Sequence, residues 1–398
     1  MEHGKLYDAV IIGGGPVGSH VACQLAGKGH KVAVLERKRG EGKPVCCTGL
    51  VGQECVRAFA IEGDVILRTV NSARLFSPSG NQIRLFREET QACILDRTAF
   101  DAAMTGRARD KGAEYISETL VRDMAVDEEK VTIATSRNGE SSEFETRAAV
   151  ITTGFGSRLA ERMGLGNFGD FVIGAQAEVK TAGIDEVEAY FGGEIVPGFF
   201  GWLVPTSSQT ARVGLLSRRK PRFYLRKLIS SLQAQGKIVS AETEPSCGGI
   251  PLETLDKTYS RRLLVVGDAA GQVKPTTGGG IYYGLLCAEI AANTLHQALQ
   301  SDDLSARGLE GYERGWKRII GQELKMGCWA RKLFERLGDR RIEQIFDIVK
   351  SHKIDEELLQ TRNLSFDWHS KTIMMLLGRA VVARVLGMTK APAGVIED

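Results

Sequence analysis

A glycine-rich hexapeptide near the start of the chain carries the most specific chemical signal in the sequence. Residues 13–18 read GGGPVG and fit the GxGxxG spacing at Gly13, Gly15 and Gly18. In this pattern the first glycine permits a tight turn, the second lets a pyrophosphate approach the backbone, and the third allows close packing of helix against strand. Glu36 follows about 20 residues later, where a carboxylate can bind ribose hydroxyls. The spacing therefore predicts a dinucleotide site.

Later segments favour FAD as that dinucleotide. Residues 95–101 read LDRTAFD, similar to the flavoprotein pattern in which the arginine, here Arg97, contacts FAD. Residues 267–271 read GDAAG, similar to a second flavin fingerprint in which the aspartate, here Asp268, binds the ribityl chain. Residues 278–280 are three glycines, and a backbone without side chains can approach the isoalloxazine ring. Its N–H groups at the start of a helix can stabilise negative charge on the reduced ring.

The elements predicted around these motifs form two separate βαβ-type pieces. Residues 7–12 predict a buried parallel strand, 16–28 a helix and 31–35 a second strand. Far along the chain, residues 263–271 predict a buried strand that ends in a tight turn, and 281–299 predict a helix. A dinucleotide domain made of such distant pieces must be discontinuous, with a second domain inserted between them.

The insert is β-rich, and the C-terminal part of the chain is helical. The other predicted elements are strands within 66–95, 114–153 and 171–217, a hairpin at 205–208, helices at 98–112 and 221–235, a loop region at 39–56 and a largely helical stretch at 305–390. The predicted fold class is α/β, with a discontinuous Rossmann-like FAD-binding domain (1–65, 95–160 and 255–300), an inserted β-sheet substrate domain (66–94 and 161–254) and a helical C-terminal region (301–398).

Composition and charge are those of an ordinary soluble globular protein. The chain has 398 residues, 43% hydrophobic and 25% charged, which is enough for two domains with cores of their own. A net charge of +3 is too small to indicate nucleic-acid binding. Neither a signal-peptide pattern nor a membrane-spanning apolar run occurs, so we expect a cytoplasmic protein whose eight cysteines are mostly thiols. No His/Cys cluster has zinc spacing, so no metal is expected.

Together these motifs resemble the geranylgeranyl reductase family, within the larger class of aromatic-hydroxylase-like flavoproteins. The resemblance covers most of residues 5–300. It is carried by GGGPVGS (13–19), LER (35–37), CCTG (46–49), LDRTAFD (95–101), PGFFGWLVP (197–205) and VGDAAGQVKPTTGGGIYYGL (266–285). The family match implies an FAD enzyme that reduces isolated C=C bonds of a polyprenyl chain in a lipid, a quinone or a chlorophyll precursor.

The same resemblance implies the residues of the site. The cofactor-binding set is Gly13, Gly15, Val17, Gly18, Glu36, Arg37, Cys47, Thr48, Leu50, Arg97, Val121, Gly267, Asp268, Gly279, Gly280 and Ile281. The catalytic set is Cys47, Phe200, Trp202 and Tyr282. An unactivated alkene is apolar and must be held against the flavin by shape, which is why aromatic walls suit this chemistry. The family often takes its electrons from donors such as ferredoxin, and no second GxGxxG marks a separate NAD(P) domain here.

The chain departs from the family pattern, and from that of the hydroxylases, at three positions. Phe200 and Val204 replace the tyrosine and phenylalanine of the PxxYxWxFP signature, which keeps the implied cavity apolar but removes a hydroxyl. Phe155 stands where the hydroxylases carry an aspartate that helps to set flavin and NAD(P)H interactions. A hydroxylase driven by NAD(P)H therefore fits this sequence poorly.

Other functions remain alternatives on the same fold. A flavin monooxygenase or a halogenase is the runner-up, since residues 200–205 also match two of the four fixed positions of the halogenase WxWxIP pattern. A halogenase needs a placed catalytic lysine, and we assign none. A non-enzymatic flavin carrier is a third option. Coupling of oxygen use to product formation separates a monooxygenase from a reductase.

The adjacent cysteines 46 and 47 leave three interpretations open. By the resemblance, Cys47 lies beside the flavin, where a thiol could relay a proton, act in redox chemistry with a partner such as Cys247 or Cys287, or serve only as a small apolar side chain. The C-terminal stretch is similarly open. Residues 314–341 and 371–390 combine basic and apolar side chains, which fits either a helical layer with a solvated basic face or peripheral contact with an anionic membrane.

Overall fold

The structure of the protein is a computed structural model, which describes residues 6–38, 46–241, 244–360 and 365–377. The strands are β1 (Tyr7–Ile12), β2 (Val32–Leu35), β3 (Leu50–Gly52), β4 (Ile66–Val70), β5 (Ser72–Phe76), β6 (Gln82–Phe86), β7 (Ala92–Leu95), β8 (Glu114–Ile116), β9 (Thr119–Val126), β10 (Val131–Arg137), β11 (Glu140–Ile151), β12 (Phe171–Thr181), β13 (Val187–Tyr190), β14 (Gly201–Pro205), β15 (Thr210–Ser217), β16 (Ile238–Ser240), β17 (Ser246–Pro251), β18 (Tyr259–Ser260) and β19 (Leu263–Val265). The helices are α1 (Pro16–Gly27), α2 (Gln53–Ala58), α3 (Arg97–Asp110), α4 (Leu159–Arg162), α5 (Pro221–Ala234), α6 (Ile281–Ser301), α7 (Ala306–Phe334), α8 (Asp339–Ser351), α9 (Ile354–Gln360) and α10 (Ser370–Leu377).

Contacts divide the chain into two compact units, each made of three segments. The first unit comprises residues 1–45, 97–171 and 249–324, and the second comprises 46–96, 172–248 and 325–398. These ranges differ from the predicted domains at several boundaries. Residues 161–171 and 249–254, predicted in the insert, group with the first unit. Residues 46–65 group with the second unit rather than with the dinucleotide-binding part, and the C-terminal helices divide between the units at residue 325 instead of forming a region of their own.

The first unit is built on a sheet whose central strands are buried. Those strands lie in the order β19-β11-β1-β2-β8 and pair in parallel, and β18 adds an antiparallel edge. β1, β2 and the end of β11 carry almost unbroken buried runs, as parallel strands covered on both faces require. Helix α1 packs against α3 and α6. The α/β fold class and its Rossmann-type dinucleotide fold are confirmed.

Strand order in this sheet reverses at β1. The chain runs outward from β1 to β2 and β8 on one side, and later returns to place β11 and β19 on the other. The carboxyl ends of β1 and β11 therefore flank a topological switch point, where open α/β sheets bind their ligands. The glycine-rich turn follows β1 and residues 152–155 follow β11, so both lie at this crevice.

The second unit is built on a mixed sheet in the order β16-β12-β15-β14-β13-β5-β6. β13 and β5 pair in parallel, and the other neighbours pair antiparallel. Helix α5 covers one face through Leu225, Leu228 and Leu232, which join one apolar core with the sheet. Helices α8 and α9 contact β6. A smaller sheet in the order β3-β7-β4 completes the unit.

The predicted elements largely match these strands and helices, with local corrections. The hairpin predicted at 205–208 joins β14 to β15, which pair antiparallel. The loop predicted at 39–56 contains β3 and the start of α2 in its described part, because Leu50 to Gly52 pair with β7. Strands β16 and β17 were not predicted. Residues 39–45, 361–364 and 378–398 of the predicted loop and helical stretch lie outside the described residues.

Candidate functional site

The glycine-rich turn after β1 packs directly against the residue that follows β11. Gly13 has a φ of +110°, and a Cβ there would lie 2.6 Å from the carbonyl oxygen of Thr152. At Gly18 a Cβ would lie 2.6 Å from the Thr152 hydroxyl oxygen and would overlap the Gly13 carbonyl oxygen. A Cβ on Gly15 would meet nothing within 4 Å. The turn therefore needs Gly13 and Gly18 for its own packing, whereas Gly15 leaves room for a ligand.

Glu36 follows β2 and lies against the same turn. One of its carboxylate oxygens accepts a hydrogen bond from the Gly14 amide at 2.7 Å, and the other accepts from the Lys38 amide at 2.8 Å. Ser19 Oγ donates to the Gly14 carbonyl at 3.2 Å and accepts from the Tyr115 hydroxyl at 2.8 Å. The carboxylate is thus fixed at the edge of the turn, with further lone pairs to accept from hydroxyl groups of a ligand.

Two threonines directly after β11 form the other side of the crevice, and neither was predicted from the sequence. Thr152 Oγ1 lies 2.8 Å from the Gly13 carbonyl oxygen and 3.1 Å from that of Ile12. Thr153 Oγ1 is buried and has no hydrogen-bond partner among the described residues. A buried hydroxyl without a partner is unfavourable unless a ligand or water bonds it. Thr153 therefore indicates a polar ligand in this crevice.

Asp268 lies in a tight turn after β19 that a buried glutamine holds in place. The Gln272 side chain is fully buried, accepts from the Gly267 amide at 2.7 Å and donates to the Tyr312 hydroxyl at 2.8 Å. That hydroxyl donates in turn to the Val265 carbonyl at 2.8 Å. This chain of bonds fixes the direction in which the turn leaves the sheet. Neither Gln272 nor Tyr312 was predicted, although a glutamine directly after GDAAG was a visible signal.

The Asp268 carboxylate lies beside the start of α6. A Cβ on Gly280 would overlap Asp268 Oδ1, so only glycine fits between the carboxylate and the helix. Burial raises the pKa of the Asp268 carboxyl, and the positive charge of Arg97 acts in the opposite direction. Arg97 is itself buried and donates from Nη2 to Asp101 at 2.8 Å. The first unit thus gathers Arg97, Asp268 and Gly280 in one neighbourhood.

These residues fit FAD. Helices α1 and α6 both begin without an acidic residue in the first turn and without a side-chain cap, so their N-terminal N–H groups are available to anions. The space at Gly15 lies beside the first of these helix starts, and Asp268 lies beside the second. The diphosphate of FAD matches the helix ends that can bind an anion. The hydroxyl groups on either side of that diphosphate match the Glu36 and Asp268 carboxylates.

The other predicted residues of the first unit take less specific positions. Val17 packs against Gly267 and Gly284, where added Cβ atoms would lie 3.2 Å and 2.7 Å from its methyl groups. Val121 is buried in the apolar core of the sheet, and Arg37 is exposed. Ile281 begins α6, and Tyr282 is buried in its first turn. Their roles toward a cofactor or substrate stay predictions.

In the second unit, the segment Cys46 to Leu50 is clamped by two side chains of the large sheet. Thr48 Oγ1 donates to Gln176 Oε1 at 2.8 Å, and Gln176 Nε2 donates to the Cys47 carbonyl at 3.2 Å. Arg212 Nη1 donates to the Thr48 carbonyl at 2.8 Å and to the Leu95 carbonyl at 3.0 Å. Both clamping side chains are buried, and neither was predicted. They fix the backbone on either side of the Cys47 thiol.

The thiols of this segment have different surroundings. Cys47 Sγ accepts from the Gly49 amide at 3.4 Å, whereas Cys46 Sγ donates to the Ser246 carbonyl at 3.4 Å. Burial raises the pKa of the Cys46 thiol. All eight cysteines are free, so no disulfide to Cys247 or Cys287 is present. The two thiols therefore bond in opposite senses, Cys47 as an acceptor and Cys46 as a donor.

An aromatic wall, formed by Phe191, Phe200 and Trp202, lies in the second unit. The ring centroid of Phe200 lies 5.9 Å from that of Trp202 and 6.2 Å from that of Phe191. The Trp202 indole lies flat against Gly214 on the facing strand, and its buried Nε1–H has no partner among the described residues. Phe334 and Phe346 pack on Phe191 from α7 and α8. The wall thus consists of aromatic rings packed with apolar side chains.

Phe155, the departure from the hydroxylase pattern, is packed as an apolar side chain. Its ring lies against the Gly249 backbone, where a Cβ would overlap ring carbons. The ring centroids of Phe168 and Phe171 lie 5.7 Å and 5.4 Å away. This position holds an aromatic cluster in place of a carboxylate.

The C-terminal helices offer a weaker membrane surface than their composition indicated. Trp316 is 2% exposed, and its indole N–H donates to the Thr258 hydroxyl at 3.0 Å. Arg331 is buried and pairs with Glu335 at 2.7 Å. Among the described residues, no helix is long and apolar enough to cross a bilayer.

The family described as FAD dependent oxidoreductase matches residues 8–94 of the chain. A digeranylgeranylglycerophospholipid reductase of Methanocaldococcus jannaschii is 30% identical over 361 residues, which cover 87% of this chain and 92% of that protein. A geranylgeranyl bacteriochlorophyll reductase-like protein from Thermoplasma acidophilum is 23% identical with a TM-score of 0.85, and the match covers 96% and 98% of the two chains. A p-nitrophenol 4-monooxygenase from Pseudomonas putida has a TM-score of 0.68 at 18% identity, covering 89% and 96%. The last two matches establish the fold alone.

Proposed function

The chain belongs to the digeranylgeranylglycerophospholipid reductase family of FAD-dependent oxidoreductases, and from that membership we propose that it saturates C=C bonds in the polyprenyl chain of a lipid, a quinone or a chlorophyll precursor. The observation that carries the proposal is the aromatic wall of Phe191, Phe200 and Trp202, because an unactivated alkene has only its shape and apolar surface for recognition. FAD is the cofactor, and when bound it supplies the hydride.

The first unit's residues are assigned to cofactor binding. The amides at the start of α1 hold the diphosphate, with Gly15 giving it room to approach the backbone. Glu36 accepts hydrogen bonds from ribose hydroxyls. Asp268 accepts hydrogen bonds from the ribityl hydroxyls, and its carboxylate acts as an acceptor only while it is ionised. Arg97 supports that ionised form electrostatically against the burial of the carboxyl.

The second unit's residues are assigned to the alkene and its proton. Phe200 and Trp202 orient the prenyl chain. Tyr282, in the first turn of α6 in the first unit, stays a predicted catalytic residue. Cys47 is assigned as the group that delivers a proton to one alkene carbon while the hydride goes to the other. The Gly49 amide, which donates to Cys47 Sγ at 3.4 Å, would stabilise the thiolate left behind.

The first test measures product mass. The purified protein, reduced with dithionite under anaerobic conditions, is incubated with geranylgeranyl lipids, and the extracts are examined by mass spectrometry. We expect the mass of two hydrogens to be added for every double bond saturated. No gain with any prenyl chain would refute the proposal, and incorporation of oxygen into an added aromatic compound in air would establish the monooxygenase alternative.

The role of Cys47 has its own test with an internal control. Cys47→Ser should lower turnover strongly and move its pH dependence, because a hydroxyl is a far weaker acid than a thiol. Cys46→Ser alters the neighbouring thiol, whose Sγ bonds to a carbonyl instead, and should leave turnover nearly unchanged. Unchanged turnover in the Cys47 variant would leave that side chain only a packing role.

The proposal extends to the cellular setting. Electrons come from a donor protein such as a ferredoxin or from NAD(P)H, and reduction of the flavin by each under anaerobic conditions distinguishes them. A polyprenyl lipid stays in a bilayer, so the enzyme meets it as a peripheral protein at the cytoplasmic face of the membrane.

A further inference from the structure

The start of α5 concentrates positive charge on the second unit. Residues 218–227 read RRKPRFYLRK and contain six basic residues and no acidic one, in a chain whose net charge is only +3. The helix begins with Pro221 and has no acidic residue in its first turn. The positive end of the helix dipole therefore adds to the side-chain charges instead of being offset by them.

Four of these basic side chains are exposed without a partner. Arg219, Lys220, Arg222 and Arg226 are exposed and make no side-chain hydrogen bond or ion pair with any other described residue. The two flanking cations differ, because Arg218 pairs with Glu335 and Lys227 pairs with Glu194. The unpaired charges thus form one continuous surface at the N-terminal end of α5.

An exposed aromatic side chain stands in the middle of this charge. Phe223 is 59% exposed, and its ring makes an edge contact with Tyr224 at a centroid distance of 5.3 Å. The opposite side of the helix is anchored, since Leu225, Leu228 and Leu232 are fully buried against the sheet. The fold therefore holds a large apolar ring out toward solvent, within a run of cations.

We propose that this docking surface, formed by Arg219, Lys220, Arg222, Phe223 and Arg226, binds the phosphate headgroups of an anionic lipid bilayer. Cations attract the negatively charged surface, and the Phe223 ring enters the headgroup and acyl boundary, where aromatic side chains are stable. The lipid nature of the partner rests in part on the proposed function. The charge and the exposed ring are independent of it.

The docking surface is linked to the aromatic segment within the same unit. The Arg218 guanidinium lies over the Phe199 ring, 5.8 Å from its centroid, and Phe199 directly precedes Phe200 of the aromatic wall. Glu335, directly after α7, fixes Arg218 with a bond of 3.0 Å. Docking at α5 would bring a bilayer close to the segment assigned to the prenyl chain.

Helix α7 is the alternative basic surface, and it is less suited to a bilayer. Its exposed cations alternate with carboxylates, as in the pairs Arg314 with Glu310 and Lys317 with Glu313. Its aromatic Trp316 is buried. A surface of mixed charge without an exposed ring is typical of a solvated helix face.

The test measures vesicle binding without substrate or reductant. The full-length holoenzyme is sedimented with phosphatidylcholine vesicles that do or do not contain phosphatidylglycerol. We expect binding only to the anionic vesicles, weakened by added salt. The triple variant Arg219→Glu, Lys220→Glu and Arg222→Glu should lose about tenfold or more in affinity. Phe223→Ser should lose several-fold while keeping the salt dependence of the wild type.

A charge-matched control uses helix α7. The triple variant Arg307→Glu, Arg314→Glu and Arg318→Glu changes the net charge equally and should bind like the wild type. Loss of binding in the control but not in the α5 variant would overturn the proposal, as would absence of binding by the wild type. The proposal would also be overturned if both variants bound vesicles equally and an acidic electron-carrier protein reduced the α5 variant more slowly than the wild type. That result would assign the surface to a protein partner.

These outcomes separate the docking surface from the reductase proposal. Turnover of a detergent-solubilised geranylgeranyl lipid should be the same in the wild type and the α5 variant, because no residue of the docking surface is assigned to the cofactor or the alkene. A reductase that fails to bind vesicles refutes the docking surface alone. Vesicle binding by a protein without reductase activity refutes the proposed function alone.

Discussion

The two units hold the segments assigned to their sites by different means. In the first unit the glycine-rich turn is shaped by main-chain contacts, with the Thr152 carbonyl oxygen 2.6 Å from where a Gly13 Cβ would stand. In the second unit the segment around Cys47 is held by long polar side chains, Gln176 and Arg212, that reach across from the large sheet. The glycine-rich turn depends on the absence of side chains, whereas the segment around Cys47 depends on the side chains that hold it.

This difference sets how each region should respond to mutation. Main-chain packing leaves almost no tolerance, because a single added methyl group collides with a backbone that cannot move far. Side-chain clamps fail more gradually, since the loss of one bond leaves the carbonyl group free to find water or a neighbour. We therefore expect the loss of stability to decrease from the glycine-rich turn, to the clamp of Gln176 and Arg212, to the partly exposed ion pairs of Glu186.

The largest effect is expected at Gly13. Gly13→Ala places a Cβ against the Thr152 carbonyl at a φ of +110°, which should destabilise the apoprotein by about 3 kcal/mol or more and abolish FAD retention. Thermal unfolding of the apoprotein and the absorbance of bound flavin after gel filtration measure both effects.

Gly15→Ala is the matched control for that prediction. Gly15 has a φ of −70° and open space around it, so alanine fits the empty turn but occupies the room assigned to the diphosphate. We expect an apoprotein melting temperature like that of the wild type and FAD binding weakened by about tenfold or more. Equal behaviour of the two variants would show that main-chain packing is not what distinguishes the first unit.

A smaller effect is expected at Arg212 in the clamp. Arg212→Met keeps the apolar length of the side chain but leaves the Thr48 and Leu95 carbonyls without their donor, which should cost about 2 kcal/mol. Chemical denaturation measures the loss, and Arg226→Met, at an exposed arginine, should change stability by less than about 0.5 kcal/mol. A loss at Arg212 as large as that at Gly13 would erase the contrast between the units.

Tyr312 tests whether the first unit also depends on a side chain. Tyr312→Phe removes the hydroxyl that bonds both Gln272 and Val265, and should cost about 1 kcal/mol and weaken FAD binding a few-fold by loosening the Asp268 turn. Equilibrium titration with FAD measures this, with Tyr259→Phe as a control outside that chain of bonds. Unaltered FAD affinity would confine Tyr312 to stability and leave Asp268 held by its backbone alone.

The same contrast explains what the sequence could predict. The glycine turn, Glu36, Arg97 and Asp268 lie in short motifs whose spacing carries their geometry, so they were predicted together with the fold, and their roles toward FAD stay predictions. The clamp could not be found in this way, because the Arg212 bond to Thr48 joins residues 164 positions apart. Neither partner belongs to a local pattern that indicates the other.

Burial was the second kind of information that the sequence lacked. Residues 314–341 have the composition of a membrane-binding stretch, but Trp316 and Arg331 are buried. The basic segment at the start of α5 is visible in the sequence, but the exposure of Phe223 is not. Periodicity identified both helices, and tertiary packing decided which side chains reach solvent.

The smallest effect concerns the charged rim of the second unit's sheet. Burial alone would raise the pKa of the Glu186 carboxyl, but hydrogen bonds from Arg84 and Arg74 lower it to about 2. A folded-state pKa below the unfolded value means that the stabilisation is fully present above about pH 4.5 and is lost as the pH falls toward 2. Because both arginines are about half exposed, solvent screening should reduce this contribution to about 1 kcal/mol. Glu186→Gln should therefore lower the urea midpoint near pH 6 but scarcely at about pH 2, whereas Glu194→Gln, at a carboxylate 80% exposed, should do so at neither. An equal loss at both pH values would show that Glu186 acts through packing, and that the second unit is less dependent on charge than its clamp implies.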